Sequence, residues 1–315
     1  MSIKMLGDFV REETEKVIAG QEEVIEQILV CFLARGHVLL EGVPGIAKTL
    51  AARTVAHVLG CEFKRIQFTP DLMPSDVTGT FVFDSNTASF NLKKGPVFTN
   101  ILLADEINRT PPKTQSALLQ AMEERCVSID GIDHPLEGAF FVAATQNPIE
   151  YEGTYPLPEA QLDRFLMKVI VDYPSQADEL EVMRRSHQGF DPHDLSTAGL
   201  STLEDFNTIE EAWNAMRSIT VDDSVMEYAA TIVRQTREAF QVVLGASPRA
   251  SIALLRCGKA LAGIRGREYV TPDDIKSLAP PILRHRLILS PEAAIEGVRA
   301  DEVIAGILAT VPVPR

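Results

Sequence analysis

Short apolar runs alternate with helical patterns along the first part of the chain, up to about Tyr173. Several of these runs are apolar at consecutive positions, which is typical of strands that are covered on both faces. They lie at residues 38–40, 63–68, 101–104, 139–145 and 165–171. Helix-like stretches lie between them, notably at residues 49–59 and 112–124. The alternation predicts an α/β fold with a five-stranded parallel sheet between helices.

The second part of the chain loses these strand signals from about Ser175 onward. Three helix starts take their place, each with an N-cap residue directly before a proline: Ser247-Pro248, Thr271-Pro272 and Ser290-Pro291. We therefore expect a smaller, all-helical second domain. The predicted division is an α/β domain at residues 1–174, a helix and linker at 175–202, and the helical domain at 203–315.

Two further segments look like β-hairpins inserted into the first domain. Residues 80–93 alternate apolar and polar positions about a turn at Asp84-Ser85-Asn86, and residues 127–136 turn at Asp130-Gly131. Insertions of this kind lie at the edge of a sheet and are candidates for contacting partners.

Charge and composition narrow the class of protein. The net charge of −14 disfavours non-specific binding to nucleic acid or to anionic membranes. No apolar stretch is long enough for a spanning helix and no signal segment is recognised, so we expect a cytoplasmic protein. The four cysteines are irregularly spaced, which argues against a zinc site and against a disulfide framework.

The first chemical signal follows the run at residues 38–40 and opens a predicted helix, which is the context that a P-loop requires. Its glycines let backbone N–H groups surround phosphates, and the helix N-terminus adds positive partial charge. Lys48 is expected to bridge the β- and γ-phosphates, and the Thr49 hydroxyl to ligate Mg²⁺. Ala47 stands where a glycine is usual; alanine tolerates right-handed helical angles, so the change is harmless if this residue already belongs to the helix. The alternative is a glycine-rich turn before an ordinary helix. The predicted nucleotide-binding set is Gly42, Val43, Pro44, Gly45, Ile46, Ala47, Lys48, Thr49 and Leu50.

Two acids end the apolar run at residues 101–104. Asp105 and Glu106 would be costly to bury there unless a cation or hydrogen bonds compensated them. Beside a P-loop, Asp105 is expected to hold Mg²⁺ through water and Glu106 to polarise the attacking water. Asn147 follows the next run and could orient that water or sense the γ-phosphate. Asn before proline is also a common turn former.

Arginines are the expected complement to the charge that grows on a transferred phosphoryl group. Arg164 precedes the last strand, at a rim from which it could reach a neighbouring subunit's nucleotide; the alternative is a surface ion pair with Asp163 or Glu159. Arg249 lies in the first turn of a helix, against the helix dipole, which suggests a phosphate reached from the helical domain. Otherwise it is simply solvated there. Arg109 is a weaker third candidate.

In these motifs the chain resembles the MoxR-type AAA+ ATPases. That family belongs to the clade that also includes the magnesium-chelatase ATPase subunit and the MCM helicases. The resemblance extends from about Val17 to beyond Arg286. It rests on the P-loop with its alanine and on the segments at residues 103–109, 112–115, 144–148, 153–165 and 245–249.

The resemblance implies a role for each motif. Lys48 and Thr49 match Walker A, Asp105 and Glu106 match Walker B, Asn147 matches sensor 1, Arg164 the arginine finger and Arg249 sensor 2. The segment with Ile18, Gly20 and Gln21 is similar to the one against the adenine in such proteins. The hairpin from Thr80 resembles the clade's insertion in its second helix, and the one at residues 127–136 the hairpin before sensor 1.

The family also implies ATP and Mg²⁺ as cofactors, self-assembly into a ring, commonly hexameric, and a chaperone-like role with partners that often bear von Willebrand factor A domains. Two other functions stay open. One is a nucleotide-gated scaffold with little turnover, which retention of Glu106, Asn147 and Arg164 argues against. The other is a nucleic-acid motor, which the acidic composition disfavours, although Lys93 and Lys94 could line a pore. No guanine-reading Asn-Lys-x-Asp segment exists, so a GTPase is not expected.

Overall fold

The computed structural model describes residues 1–86, 88–148, 153–192 and 194–314. Its strands are β1 (Val38–Glu41), β2 (Phe63–Gln67), β3 (Gly79–Asp84), β4 (Ser89–Lys94), β5 (Ile101–Asp105), β6 (Cys126–Ile129), β7 (Ile132–Pro135), β8 (Phe141–Gln146), β9 (Met167–Ile170), β10 (Val242–Leu244) and β11 (Ile288–Leu289). Its α-helices are α1 (Ile3–Glu15), α2 (Glu22–Leu33), α3 (Lys48–Val58), α4 (Pro74–Thr78), α5 (Pro112–Glu124), α6 (Glu159–Leu162), α7 (Gln176–His187), α8 (Asn207–Ala215), α9 (Asp223–Glu238), α10 (Pro248–Ile264), α11 (Pro272–Leu283), α12 (Pro291–Ile295) and α13 (Ala300–Thr310).

The main sheet contains the predicted strands in the order β2-β5-β8-β1-β9. All of its neighbouring pairs are parallel, so the carboxyl ends of the strands share one edge. Successive residues of β1 face different cores: Val38 and Leu40 belong to one buried cluster, and Leu39 belongs to the other. Coverage on both faces explains why β1, β5 and β8 read as continuous apolar runs, and the predicted α/β fold is confirmed.

Both inserted hairpins are present. Antiparallel β3 and β4 pair from Gly79 with Lys94 to Asp84 with Ser89. Antiparallel β6 and β7 pair from Cys126 with Pro135 to Ile129 with Ile132. They project from the same side of the domain, since β3 lies against β6.

The predicted helix starts of the second part are confirmed by their caps. Ser247 accepts a hydrogen bond from the Arg249 N–H, Thr271 from Asp274 and Ser290 from Ala293, so each side chain satisfies a backbone donor that the helix leaves unpaired. The domain is helical but not purely so. Short antiparallel strands β10 and β11 pair within it, which the sequence pattern did not predict.

The helical domain packs closely against the first part of the chain. Helix α10 contacts α1 and α2, and α11 contacts β9. Gly7 of α1 approaches α10 so closely that an added Cβ would lie 2.8 Å from a methyl carbon of Ile264. The domain limits expected from the sequence stay predictions, because α1 packs on both parts. No helix within the described ranges is long and apolar enough to cross a membrane.

Candidate nucleotide-binding site

The P-loop lies between the carboxyl end of β1 and the start of α3. Gly42 must be glycine, because an added Cβ would collide with the carbonyl oxygen of Val171. Gly45 has open space around it but a φ of +84°, which is why a glycine suits that position too. The Lys48 ammonium contacts the carbonyl oxygen of Gly42 and lies 3.4 Å from that of Gln146. Lys48 therefore lies over the ends of β1 and β8.

Ala47 does not meet the condition under which an alanine would be harmless at this position, because it lies outside the helix. It is the N-cap of α3, with φ 63° and ψ 17°, in the left-handed region. An L-residue pays roughly 1–2 kcal/mol for this conformation. The substitution of alanine for the usual glycine is therefore a source of local strain in the loop, since the loop path still demands the glycine-like angle.

Asp105 is the last residue of β5 and is largely buried. Its Oδ1 accepts a hydrogen bond from the Thr145 hydroxyl at 2.5 Å, and its Oδ2 lies 3.5 Å from the Thr49 hydroxyl. Arg65 of β2 also donates to Oδ2, from Nη2 at 2.6 Å and Nε at 3.0 Å. A carboxylate and a hydroxyl facing each other are the oxygen ligands that Mg²⁺ prefers, so these residues fit the expected metal.

Glu106 follows in the left-handed conformation, with φ 56° and ψ 51°. Its N–H donates to the Thr145 hydroxyl at 2.9 Å. The carboxylate oxygen Oε2 accepts from Gln67 Nε2 at 2.6 Å and from Arg109 Nη1 at 3.1 Å. Arg109 therefore lies beside Glu106 of its own chain, which does not favour the arginine-finger role considered for it from the sequence.

Asn147 follows β8 and is buried at the same sheet edge. Asn108 Nδ2 lies 3.5 Å from the Asn147 carbonyl oxygen. The carboxyl ends of β1, β5 and β8 thus bring together Lys48, Asp105, Glu106 and Asn147, as parallel strands must.

A cavity of about 490 Å³ opens beside the P-loop. The predicted adenine segment contributes Ile18 and Gln21 to its wall, and the P-loop contributes residues 44–47 and Leu50. Gln21 is fixed by a hydrogen bond of 3.1 Å from its Nε2 to the Asp172 carbonyl oxygen. Gly20 does not line the cavity; it has a φ of +69° and packs against Asp178, where an added Cβ would collide. Further lining residues that the sequence did not indicate come from α7 and its flanks: Tyr173, Pro174, Glu179, Val182, Arg185, Ser186, Phe190 and Pro192.

Arg164 and Arg249 lie together in a second cavity, of about 600 Å³. Both contact one carboxylate of α5: Arg164 Nη2 lies 3.0 Å from Glu123 Oε2, and Arg249 Nη2 lies 3.5 Å from Oε1. The expected alternative for Arg164, a pair with Asp163 or Glu159, is not what forms. Asp163 instead binds the buried Arg286 at 2.7 Å and lies 3.7 Å from Arg249.

This second cavity is at the opposite edge of the sheet. Its wall includes Gly36, before β1, and Leu166, before β9. With about 3.3 Å per extended residue, Gly36 and Gly42 are roughly 20 Å apart. The helical domain therefore does not bring Arg249 to the P-loop of its own chain, because α10 begins on the far side of the sheet. A phosphate for Arg249 would have to come from another molecule.

Comparison with known proteins fits this geometry. Residues 37–167 match the family described as "ATPase family associated with various cellular activities (AAA)", and residues 234–307 match "AAA lid domain". The chain is 46% identical over 316 residues to "Chaperone MoxR1" of Mycobacterium tuberculosis, covering 96% of this chain and 81% of that protein. The chain belongs to the MoxR family of AAA+ ATPases. It is an ATPase.

Two other similar proteins match nearly the whole chain. "Uncharacterized protein YeaC" of Bacillus subtilis is 49% identical over 311 residues, which cover 98% of this chain and 95% of that protein. A crystallised candidate ATPase from Cytophaga hutchinsonii has a TM-score of 0.91 and 43% identity, covering 99% of this chain and 96% of that one. The likeness therefore includes the position of the lid as well as the nucleotide-binding domain.

Sequence reasoning missed several residues of this MoxR-family site. Arg65 and Gln67 of β2 contact Asp105 and Glu106. The Thr145 hydroxyl donates to Asp105 and accepts from the Glu106 N–H. Glu123 forms ion pairs with Arg164 and Arg249. One signal was available: Arg65 and Gln67 are polar at alternate positions in a strand that ends beside Asp105. Nothing comparable marks Glu123, which reads as an ordinary solvated residue at the end of a helix.

Proposed function

We propose that this MoxR-family protein hydrolyses ATP with Mg²⁺ at the interfaces of a ring of identical subunits, and uses the cycle to remodel or mature partner proteins. The observation that carries the proposal is the pairing of Arg164 with Arg249 on Glu123, at the opposite sheet edge from the P-loop. Two arginines that cannot reach the triphosphate of their own subunit are well placed for a neighbour's.

Within one subunit the proposed roles follow the geometry. Lys48 and the P-loop amides bind the phosphates, and Thr49 and Asp105 hold the metal, which neutralises phosphate charge when bound. Glu106 accepts the proton of the attacking water, and Asn147 orients that water or the γ-phosphate. The cavity beside Ile18 and Gln21 is large enough for a nucleoside and mostly apolar, as an adenine requires.

The neighbour-facing cavity is strongly basic. Besides Arg164 and Arg249 it contains Arg35, Arg125 and Arg256, for which no ion pair is found in the described parts of the chain. Burial, with the guanidinium groups of Arg35 and Arg256, lowers the pKa of Arg125. Such uncompensated positive charge, in a chain of net charge −14, favours binding a polyanion there.

The finer features of the proposal come from the family resemblance: a hexameric ring, a cytoplasmic location, and partners that bear von Willebrand factor A domains. For contact with polypeptide we propose the β3–β4 hairpin. Phe83 and Phe90 are exposed on it, with ring centroids 5.3 Å apart. An apolar pair displayed at the end of an inserted hairpin suits an extended apolar segment of a client.

The proposal is tested by subunit complementation. Arg164→Ala should keep nucleotide binding but lose turnover by about 10³- to 10⁵-fold, as arginine fingers do. Glu106→Gln should trap bound ATP. Mixing the two variants should restore phosphate release, because a site with Glu106 from one subunit and Arg164 from its neighbour is complete.

A matched control distinguishes the two sides of the site. A mixture of Lys48→Ala and Glu106→Gln should stay inactive. Lys48 and Glu106 must come from the same subunit, and no subunit in this mixture carries both. Arg299→Ala, at an exposed arginine of the lid, should keep wild-type turnover. Wild-type turnover in Arg164→Ala would overturn the assignment, as would absence of rescue in rings shown to contain both variants.

A further inference from the structure

Edge strand β2 brings two polar side chains to the acids of the nucleotide site. Arg65 and Gln67 are two residues apart, so they lie on the same face of the strand, while Ile66 between them is buried. Gln67 is the register partner of Asp105 in the adjacent strand. The strand therefore positions both side chains beside the carboxyl end of β5.

These side chains join the two acids in one chain of hydrogen bonds. Arg65 Nη2 donates to Asp105 Oδ2 at 2.6 Å and to Gln67 Oε1 at 2.8 Å. Gln67 Nε2 in turn donates to Glu106 Oε2 at 2.6 Å. The guanidinium thus contacts the expected metal ligand directly and the expected base through one amide.

The contact on Asp105 is made at a particular oxygen. Oδ1 is occupied by the Thr145 hydroxyl, whereas Oδ2 receives both Arg65 donors and faces the Thr49 hydroxyl. A divalent cation held between Thr49 and Asp105 would use this same Oδ2. Arg65 and the cation then compete, since two positive charges would otherwise share one carboxylate oxygen.

We propose that Arg65 is a positioning residue that competes with Mg²⁺ for Asp105 and thereby links metal arrival to release of Glu106. With a divalent cation at Oδ2, the Arg65 guanidinium would lose this acceptor and would no longer hold the side-chain oxygen Oε1 of Gln67. The Gln67 amide is then free to turn away from Glu106. This inference rests on the proposed Mg·ATP site, and it concerns how metal binding prepares the base.

The competition is expected to be modest. Half of the Arg65 side chain is exposed, so solvent screens its charge. Exposed and half-exposed ion pairs change equilibria by up to about fivefold. If the Arg65 guanidinium bound Asp105 much more tightly, it would block the metal site. An ion pair of this strength can be displaced by Mg²⁺ at ordinary concentrations.

The experiment measures Mg²⁺ dependence without turnover. A fluorescent, non-hydrolysable ATP analogue is bound to the full chain, first in EDTA and then across a MgCl₂ titration. Arg65→Gln removes the charge but keeps a polar side chain, and Arg65→Lys keeps the charge. Lys93→Gln, on the exposed strand β4, removes one positive charge elsewhere.

We expect Arg65→Gln to lower the Mg²⁺ concentration at half-saturation by about two- to fivefold. Arg65→Lys should lie between it and wild type, and Lys93→Gln should match wild type. A general loss of positive potential would also change the affinity for the analogue in EDTA. A change at the metal site would alter only the Mg²⁺ concentration at half-saturation. A steady-state assay should also show Gln67→Ala moving the Mg²⁺ midpoint less than Arg65→Gln does, because the Gln67 amide donates to Glu106 and the Arg65 guanidinium donates to Asp105.

An unchanged or raised Mg²⁺ midpoint in Arg65→Gln, with a wild-type melting temperature, would overturn the inference. It would mean that Arg65 supports Asp105 or contacts phosphate instead. Failure of wild type to bind the analogue at any MgCl₂ concentration is a different result, because that would remove the proposed function itself.

Discussion

Acid should destabilise this protein through His37, which lies at the start of β1. The imidazole is buried, and its Nδ1 accepts the Val142 N–H at 3.0 Å. Its Nε2 therefore carries the proton, and it lies 3.2 Å from the Met122 carbonyl oxygen. Protonating Nδ1 would break the bond to Val142 and place a charge in the core beside Arg125 and Arg256.

Burial, helped by those two arginines, lowers the pKa of His37 from 6.5 to about 4. The unfolded chain therefore binds the proton more tightly, so stability falls as pH falls. The His37 contribution is complete above about pH 6.5, declines through the window down to about pH 4, and is lost below it. At about 1.36 kcal/mol per pH unit the full loss is about 3 kcal/mol, and about 2 kcal/mol of it occurs between about pH 7.5 and pH 5.

Urea unfolding followed by fluorescence of the one tryptophan, Trp213, measures this loss. Trp213 packs on Phe32, which itself packs on Phe141, so it reports on the same core. The variant His37→Gln keeps a donor and an acceptor but cannot titrate. Its free energy of unfolding should lose about 2 kcal/mol less than wild type over the same pH interval.

Buried His285 acts in the same direction, since burial lowers its pKa well below the usual value, so some acid sensitivity should persist in His37→Gln. The control is His187→Gln at the exposed end of α7, which should keep the wild-type pH dependence. Equal pH dependence in wild type and His37→Gln would refute the reasoning.

Two further predictions concern the P-loop and the hairpin. Because the Ala47 backbone is left-handed, Ala47→Gly should raise the melting temperature slightly, and Ala47→Val should lower the free energy of unfolding by more than about 1 kcal/mol. If residue 47 were right-handed and helical, Ala47→Gly would instead lower the free energy of unfolding by about 1 kcal/mol. Replacing Phe83 and Phe90 by serine should weaken binding of a labelled unfolded polypeptide at least about tenfold, because burying a phenyl ring contributes about 1.5–3 kcal/mol. Phe240→Ser, 89% exposed in the lid, is the control, and an equal loss there would contradict a specific role for the hairpin.

Local chemistry explains what the sequence determined. The main strands are readable because a strand buried on both faces needs apolar residues at successive positions. The helix starts at Ser247, Thr271 and Ser290 are readable because an N-cap and a following proline act within one turn. The order of strand, loop and helix predicted the site residues Lys48, Thr49, Asp105 and Glu106. These residues lie together because the carboxyl ends of parallel strands meet at one edge of the sheet.

Tertiary structure decided what depends on the path of the chain or on distant partners. The left-handed angle of Ala47 is set by the loop that encloses the phosphate site, and helix propensity gives no sign of it. Arg249 could be recognised from its motif, but the edge of the sheet that it reaches depends on how α10 packs against α2. The contact of Arg65 with Asp105 depends on strand order, because β2 and β5 are separated by more than thirty residues and become neighbours only in the folded sheet. Sequence patterns carry information over a turn or a strand, whereas these features arise from contacts across the whole fold.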